Sequence, residues 1–216
     1  IRDRREGGSM GDLYSRTDLR RDANGAIYMD ESNNVYTQKI DNPDSYIKLG
    51  SVLPKGNLAW RNNFMWKNFH VGFMISARLG GVVFSRTQAI LDKFGVSEAS
   101  ADARDNGFVL INGNDRVNPE NWYTTVGSTA VPQYYTYSAT NVRLQEASIG
   151  YTIPRKWLAN VCDIKVSLIG RNLWMIYNKA PFDPEAVAST DNFYQGIDNF
   201  MMPSLRNVGF SLNFKF

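Results

Sequence analysis

The last residues of the chain alternate strictly between apolar and polar, and this pattern constrains the fold more than any other feature. Five apolar residues share one parity: Val208, Phe210, Leu212, Phe214 and Phe216. The residues between them are small or polar: Gly209, Ser211, Asn213 and Lys215. A period of two places all the apolar side chains on one face of a β-strand. Because the other face suits a water-filled lumen, the pattern favours a strand that faces lipid on one side.

Four other segments show the same alternation. The predicted strands are residues 57–67, 70–79, 142–153, 164–177 and 205–216. A change of parity near Gln145 and Glu146 in the third of them predicts either a β-bulge or a segment that lies above the bilayer. Each predicted strand has at least ten residues, close to the roughly 9–11 that a tilted strand needs to cross a bilayer.

The connections between these strands are alternately short and long. In chain order they contain two, 62, ten and 27 residues. Outer-membrane barrels have short periplasmic turns and long external loops. Residues 80–141 and 178–204 are therefore predicted to be extracellular loops. Residues 1–56 are predicted to be an extracellular loop region with a small hairpin near Asn24-Gly25.

The long loops are predicted to contain short helices and to display aromatic residues. Ser85 to Phe94 is typical of a helix that ends at Gly95, and residues 97–104 of a second turn of helix. The aromatic candidates for substrate or lid contact are Trp122, Tyr123, Tyr134, Tyr135 and Tyr137. Such rings suit sugar or peptide ligands, because the flat face stacks while the OH or NH group hydrogen-bonds. Packing inside the loop is the alternative role.

Composition excludes several other functions. The chain has 24 Lys and Arg against 21 Asp and Glu, a net charge of +3, and no strong basic cluster, so no nucleic-acid partner is predicted. Its one cysteine, Cys162, excludes an internal disulfide framework and a Cys-x-x-Cys metal site. The longest apolar run has five residues, whereas a spanning helix needs about twenty.

No catalytic, cofactor or metal site is predicted. The one histidine, His70, opens a strand and has no visible serine or cysteine partner. Asn112, Asn114 and Asp115 offer oxygen ligands but lack the glycine and glutamate spacing of a calcium loop, so a turn is favoured. Asp183-Pro184-Glu185 carries two carboxylates, which suit a turn or capping role at least as well as chemistry.

The number of strands bears on the two folds that the pattern allows. A soluble carbohydrate-binding β-sandwich explains the aromatic residues and turns, but not the strand lengths or the loop asymmetry. Five strands cannot close a membrane barrel, because single-chain bacterial barrels begin at about eight. Unpaired strand edges in lipid are costly. If its strands lie in a membrane, this chain is predicted to be the C-terminal part of a larger barrel.

Six short motifs follow one another along the chain. They are Glu6–Asp12, Ala77–Ser85, Asp102–Gly107, Val142–Pro154, Gly170–Trp174 and Asp183–Glu185. With the terminal strand, they resemble the C-terminal region of SusC/RagA-type TonB-linked outer-membrane transporters. Each motif alone is weak, but their order and spacing cover nearly the whole chain.

The resemblance implies an all-β fold, in which this chain supplies the C-terminal strands of a 22-stranded antiparallel transmembrane β-barrel with an N-terminal plug. It implies import of oligosaccharides or peptides across the outer membrane of a Gram-negative bacterium, powered by TonB through the plug. A SusD-like surface lipoprotein is the implied lid. The barrel-assembly machinery is expected to read the terminal strand, with Phe214 and Phe216 as its signal. No region of this sequence matches the plug or the TonB box.

Overall fold

The computed structural model of the chain describes residues 7–127, 131–158, 161–189 and 194–215. The strands are β1 (Asp12–Ser15), β2 (Thr17–Leu19), β3 (Thr37–Lys39), β4 (Ile47–Ser51), β5 (Gly56–Trp66), β6 (Phe69–Leu79), β7 (Val82–Ser85), β8 (Val109–Ile111), β9 (Asp115–Val117), β10 (Thr136–Ser138), β11 (Asn141–Ile153), β12 (Asp163–Asn178), β13 (Ile197–Asp198) and β14 (Asn207–Lys215). The helices are α1 (Arg86–Lys93), α2 (Glu98–Asn106) and α3 (Pro119–Val126). Short 3₁₀ turns lie at Pro43–Ser45, Pro132–Tyr135 and Arg155–Trp157. In the described part of the chain, every helix is too short or too polar to cross a membrane.

The chain divides into two compact units. The loop unit comprises residues 1–53, 81–138 and 187–201. The sheet unit comprises residues 54–80, 139–186 and 202–216. Each unit is assembled from three separate stretches of sequence, so its contacts connect residues far apart in the chain.

The sheet unit is one antiparallel sheet with the strand order β14-β12-β11-β6-β5. A two-residue turn at Lys67 and Asn68 joins β5 to β6, and Lys67 has the positive φ of +53° that such a turn requires. Among the described residues, the outer strands β5 and β14 are each paired on one side only. The sheet is therefore open within this chain.

The four predicted strands before the last lie within one residue of the observed bounds of β5, β6, β11 and β12. The predicted bulge is confirmed, because the pairing of β11 with both of its neighbours shifts register between Leu144 and Glu146. The last strand begins at Asn207, two residues later than predicted. Phe216 lies outside the described residues.

The loop unit has its own hydrophobic core in two clusters. The first cluster contains Leu19, Ala89, Val126, Val131 and Tyr135. The second contains Val35, Ile111 and Val117. Trp122 and Ile27 pack against both clusters and so connect them. The loop unit also contains four small sheets among its described residues: β1 with β4, β2 with β3, β8 with β9, and β10-β7-β13.

The predicted helix from Ser85 to Phe94 is observed as α1, and it has the expected ends. The Ser85 hydroxyl accepts a hydrogen bond from the Gln88 amide, and Gly95 follows the helix with φ +66°. The helix α3 is not expected from the sequence patterns, although Asn118 caps it and Pro119 is its first residue. Its cap and first-turn proline are the signals that could have identified it.

Candidate functional site

The centre of the sheet presents a row of apolar side chains, one from each strand. Directly paired residues of antiparallel strands lie on the same face. The row consists of Phe64, Val71, Ile149, Leu168 and Phe210. All five are exposed, from 42% at Val71 to 78% at Phe210. Contiguous apolar surface of this kind marks a membrane or protein contact rather than a face that meets water.

The neighbouring rows on this face continue the pattern. One row contains Trp66, Phe69, Tyr151, Val166 and Leu212. The row on the other side contains Asn62, Phe73, Ala147, Gly170 and Val208. Apart from the Asn62 amide and the Tyr151 hydroxyl, the side chains of these ten residues are apolar. We call this surface the apolar face.

The opposite surface, the polar face, has a different composition. One of its rows contains Met65, His70, Gly150, Ser167 and Ser211. Another contains Arg61, Met74, Glu146, Arg171 and Asn207. His70 is hydrogen-bonded through Nε2 to the Thr152 hydroxyl at 2.9 Å, so it has a structural partner on this face. The sheet therefore separates an apolar surface from a polar one, as the wall of a water-filled barrel does.

A charged network crosses the polar face at Glu146. Its carboxylate accepts a hydrogen bond from Arg61 Nη2 at 2.9 Å and another from Arg171 Nε at 3.3 Å. These three residues come from β5, β11 and β12. The arginine side chains are 60% and 66% exposed. This network gives the polar face a net positive row that faces solvent.

Aromatic side chains gather toward the two ends of the apolar face. At the end with the short turns, Phe69 stacks near Trp66 and meets Tyr151 edge-on, with ring centroids 6.4 Å and 4.8 Å apart. Trp60 and Trp174 lie toward the other end and are also exposed. Trp60 and Trp66 are six residues apart, or roughly 20 Å along a strand. Aromatic belts on either side of an apolar band are typical of membrane barrels.

Arg143 holds the segment that follows β12 against the sheet. It is 4% exposed, and its Nη2 lies 2.9 Å from Asp183 Oδ1 and 3.2 Å from Glu185 Oε2. The Ser204 amide donates to the other oxygen of Asp183 at 3.1 Å. Burial works to raise the pKa of Asp183, but hydrogen bonds from Ser204 and Glu185 and the charge of Arg143 hold it below its usual value. The Asp183-Pro184-Glu185 motif thus anchors a loop.

Among the aromatic candidates of the loop unit, Tyr135 is a core residue. It is 3% exposed, and its hydroxyl donates to Asp92 Oδ2 at 2.8 Å. Burial and this hydrogen bond raise the pKa of Tyr135. The ring is therefore almost fully covered by its neighbours in the loop unit. Tyr137 lies half-buried on β10.

Trp122 and Tyr134 come together, although twelve residues separate them. Their rings meet edge-on with centroids 5.6 Å apart. Trp122 packs against both core clusters, whereas Tyr134 is 41% exposed. Trp122 therefore supports the ring of Tyr134, and Tyr134 is the more exposed member of this pair.

Tyr123 lines a cleft of about 350 Å³ among the three helices. Its hydroxyl donates to the Ala99 carbonyl at 3.0 Å. The charged side chains of this cleft include Lys93, Arg104 and Glu120. The cleft offers an aromatic ring beside charged groups, but the assignment of the five aromatic residues to substrate or lid remains a prediction.

Phe214 lies on the apolar face opposite Ile164 and is 56% exposed. It continues the alternation of Val208, Phe210 and Leu212. Its position fits the terminal strand of a barrel, while its recognition by assembly machinery stays a prediction.

Comparison with known proteins finds a relative whose sequence is several times longer than this chain. TonB-dependent receptor P3 of Formosa agariphila is 27% identical over 207 residues, which cover 90% of this chain and 19% of that protein. No protein-family profile matches the chain.

Solved structures show the same fold. The RagAB peptide importer in its open-open state aligns with 95% of this chain at a TM-score of 0.60 and 15% identity. Its closed-closed state aligns with 95% at 0.54 and 17% identity. The RagAB peptide transporter aligns with 87% at 0.55 and 16% identity. In each, this chain covers about a fifth of the matched chain (21–22%).

The fold of the sheet unit, the similar receptor sequence and the sequence motifs all indicate the same kind of protein. The open five-stranded sheet has one apolar and one polar face, as a segment of a transmembrane β-barrel has. The named relative is a TonB-dependent receptor, and the structural neighbours are RagAB assemblies. The chain is therefore similar in sequence to a TonB-dependent receptor and shares the fold of the RagAB structures, as the resemblance to the SusC/RagA type implies, and it spans about a fifth of the length of these matched proteins.

Proposed function

We propose that this chain forms part of the barrel wall of a TonB-dependent transporter in the outer membrane of a Gram-negative bacterium. The observation that carries the proposal is the row of five exposed apolar side chains across five strands, backed by a polar face. Hydrocarbon suits the first surface and water the second. A barrel of 22 strands, of which five are present here, is part of the proposal.

The transported substrate is proposed to be an oligosaccharide or a peptide. The matched RagAB structures are those of a peptide importer, which supports peptides, while the aromatic rings of the loop unit suit either class. The chain acts without covalent chemistry. Its polar face would line the cavity, and its loop unit would contact the lid or the substrate.

The partners follow from the same proposal. A SusD-like lipoprotein delivers substrate as a lid, the barrel encloses the substrate, and TonB pulls on the plug. The plug and the other strands belong to the part of the receptor beyond these 216 residues. Two further partners are part of the proposal. The barrel-assembly machinery recognises Phe214 and Phe216, and membrane lipid contacts the apolar face.

A soluble carbohydrate-binding β-sandwich is the other fold that the sequence pattern allows. A sandwich buries the apolar face of one sheet under a second sheet. Within the sheet unit, the described residues form a single sheet, and the central apolar row is exposed. This exposure favours the barrel wall.

Uptake measurements in the source bacterium test the function. Deleting the receptor gene should abolish TonB-dependent uptake of one substrate class, and the intact gene should restore it. Labelled oligosaccharides and labelled peptides are assayed in parallel, with and without functional TonB. Uptake of both classes that is unchanged in the deletion strain would contradict the proposal.

Tyr134→Ala in the intact receptor is expected to weaken substrate uptake or lid affinity by roughly 2- to 10-fold, since an aromatic contact contributes about 0.5–1.5 kcal/mol. Tyr134→Phe is the matched control, because it keeps the ring and removes only the hydroxyl. Uptake rate and lid dissociation constant are both measured. If both stay at the wild-type value in the alanine variant, Tyr134 contacts neither partner.

A further inference from the structure

The short-turn end of the sheet unit carries an excess of positive charge. Five basic residues lie there: Lys67, Arg155, Lys156, Lys165 and Lys215. The one acidic residue of the same segments is Asp163, which pairs with Arg155 at 3.2 Å. Five cations minus one carboxylate leave +4, more than the net +3 of the whole chain. We call Lys67, Arg155 and Lys156 the basic rim, because they lie in the turns themselves.

The basic rim borders the aromatic end of the apolar face. The Lys67 ammonium lies 5.2 Å from the ring centroid of Trp66, the first member of the Trp66–Phe69–Tyr151 group. Trp157 follows Lys156 directly and is 70% exposed. The Thr152 amide donates to the Asn68 carbonyl at 2.8 Å, which joins the turn after β5 to the end of β11. Two exposed tryptophans, each followed or preceded by a lysine, thus lie at the short-turn end of the sheet unit.

An apolar surface that ends in aromatic rings and then in basic side chains matches the interface between lipid and water. Tryptophan rings prefer the level of the headgroups, and lysine reaches outward to charged groups from the edge of the hydrocarbon. The Lys67 and Lys156 side chains are exposed, and neither is paired with a carboxylate among the salt bridges of the described residues. Lys165 and Lys215 face the polar side of the same end. They add to the positive electrostatic potential there, which salt screens over a Debye length of about 8 Å.

We propose that the basic rim binds the phosphate headgroups of anionic phospholipids in the leaflet at the short-turn end of the barrel. The inference rests on the proposed function, which places the apolar face in lipid. Lysine suits this ligand because it acts as a point charge toward phosphate. The Trp66 and Trp157 rings would fix the depth at which the headgroups meet the two lysines.

The test measures phospholipid binding to the intact, detergent-solubilised receptor by native mass spectrometry. The probes are phosphatidylglycerol and zwitterionic phosphatidylcholine. Neutralising a lysine near an anionic headgroup is expected to weaken phosphatidylglycerol binding about fivefold, so Lys67→Gln with Lys156→Gln should weaken it roughly 25-fold. The matched control is Lys55→Gln with Lys179→Gln, which removes two exposed lysines at the opposite end of the sheet unit. Because surface substitutions far from a binding site have little effect, this variant should keep its phosphatidylglycerol affinity within about twofold of the wild type.

The outcomes separate this inference from the function on which it rests. Selective phosphatidylglycerol binding that falls only in the Lys67/Lys156 variant supports the basic rim. Equal affinity in wild type and both variants overturns it, as does displacement by millimolar inorganic phosphate, which would show a soluble-anion site. A receptor that transports substrate normally yet shows no lipid selectivity rejects the rim alone. Failure of the wild-type receptor to transport rejects the proposed function.

Discussion

Replacing Ile149 with arginine is expected to destabilise the receptor in a bilayer by about 2–4 kcal/mol, the cost of a cation at the lipid-facing midplane of a barrel. Ile149 lies in the central row of the apolar face, between Val71 on β6 and Leu168 on β12. It is 53% exposed, so the arginine would project into hydrocarbon rather than into a protein cavity. The urea midpoint of the receptor refolded in lipid vesicles measures the loss.

Ser148→Arg is the matched control, since it places the same side chain one residue away on the polar face. Ser148 pairs with Gly72 and Ile169, and Glu146 lies two residues away on the same face. An arginine there meets water and a carboxylate, so we expect a change of less than about 1 kcal/mol. Equal losses for both variants would show that the two faces of the sheet meet the same environment, which contradicts a lipid-facing wall.

The long strands could be predicted from the sequence because apolar and polar residues alternate along them and so lie on opposite faces of the sheet. Alternation in Val71, Phe73 and Ile75 against Gly72, Met74 and Ser76 is a local signal, and it fixes the face of every residue. The bulge also left a local trace, because the parity of apolar residues changes between Leu144 and Ala147. Register across strands then follows from the two-residue turn and this bulge.

The loop unit could not be predicted, because its core forms between distant segments. Leu19, Ala89 and Tyr135 share one cluster although they lie far apart in sequence, and none belongs to a long periodic segment. Tyr134 and Tyr135 are adjacent and chemically identical, yet one is 41% exposed and the other 3%. Only the fold decides which ring faces solvent. The sequence therefore identified a group of aromatic candidates without separating contact residues from core residues.

The networks of charged side chains in the sheet unit also could not be predicted from local sequence patterns. Arg61 and Glu146 are 85 residues apart in sequence, and Arg143 and Asp183 are 40 apart. Single charged residues in strands and loops carry no mark of their partners. The Asp183-Pro184-Glu185 turn is visible in the sequence, but the buried arginine that it binds is revealed only by the register of β11 beside β12.

Arg143→Met is expected to have the second large effect, a local destabilisation of about 3–5 kcal/mol. The substitution leaves the buried carboxylate of Asp183 without its cation. Asp183 is 9% exposed in its side chain and loses its ion pair, and Glu185 loses the other contact. The segment that follows β12 should then open from the sheet. Amide hydrogen exchange of residues 179–186 in the intact receptor measures the opening.

The pH dependence of this segment follows from the pKa of Asp183, which is lower in the folded protein than its usual value of 3.8. A carboxyl group with a lowered pKa stabilises the fold when it is ionised. In the wild type, protection of residues 179–186 is therefore complete above about pH 4–5 and falls as the pH drops through the lower folded pKa. Arg143→Met should weaken this acid dependence, because Arg143 is one of the groups that favour the ionised form.

Two comparisons show whether burial causes the large loss. Arg171→Met removes one partner of an exposed ion pair, since Arg171 is 66% exposed and Arg143 only 4%. It is expected to cost at most about 1 kcal/mol. The triple variant Arg143→Met, Asp183→Asn, Glu185→Gln removes the carboxylate charges together with the cation and should recover part of the lost protection. If the Arg143 and Arg171 variants exchange alike, the Arg143 pair is no stronger than a surface contact, and Asp183 and Glu185 must be anchored by their hydrogen bonds alone.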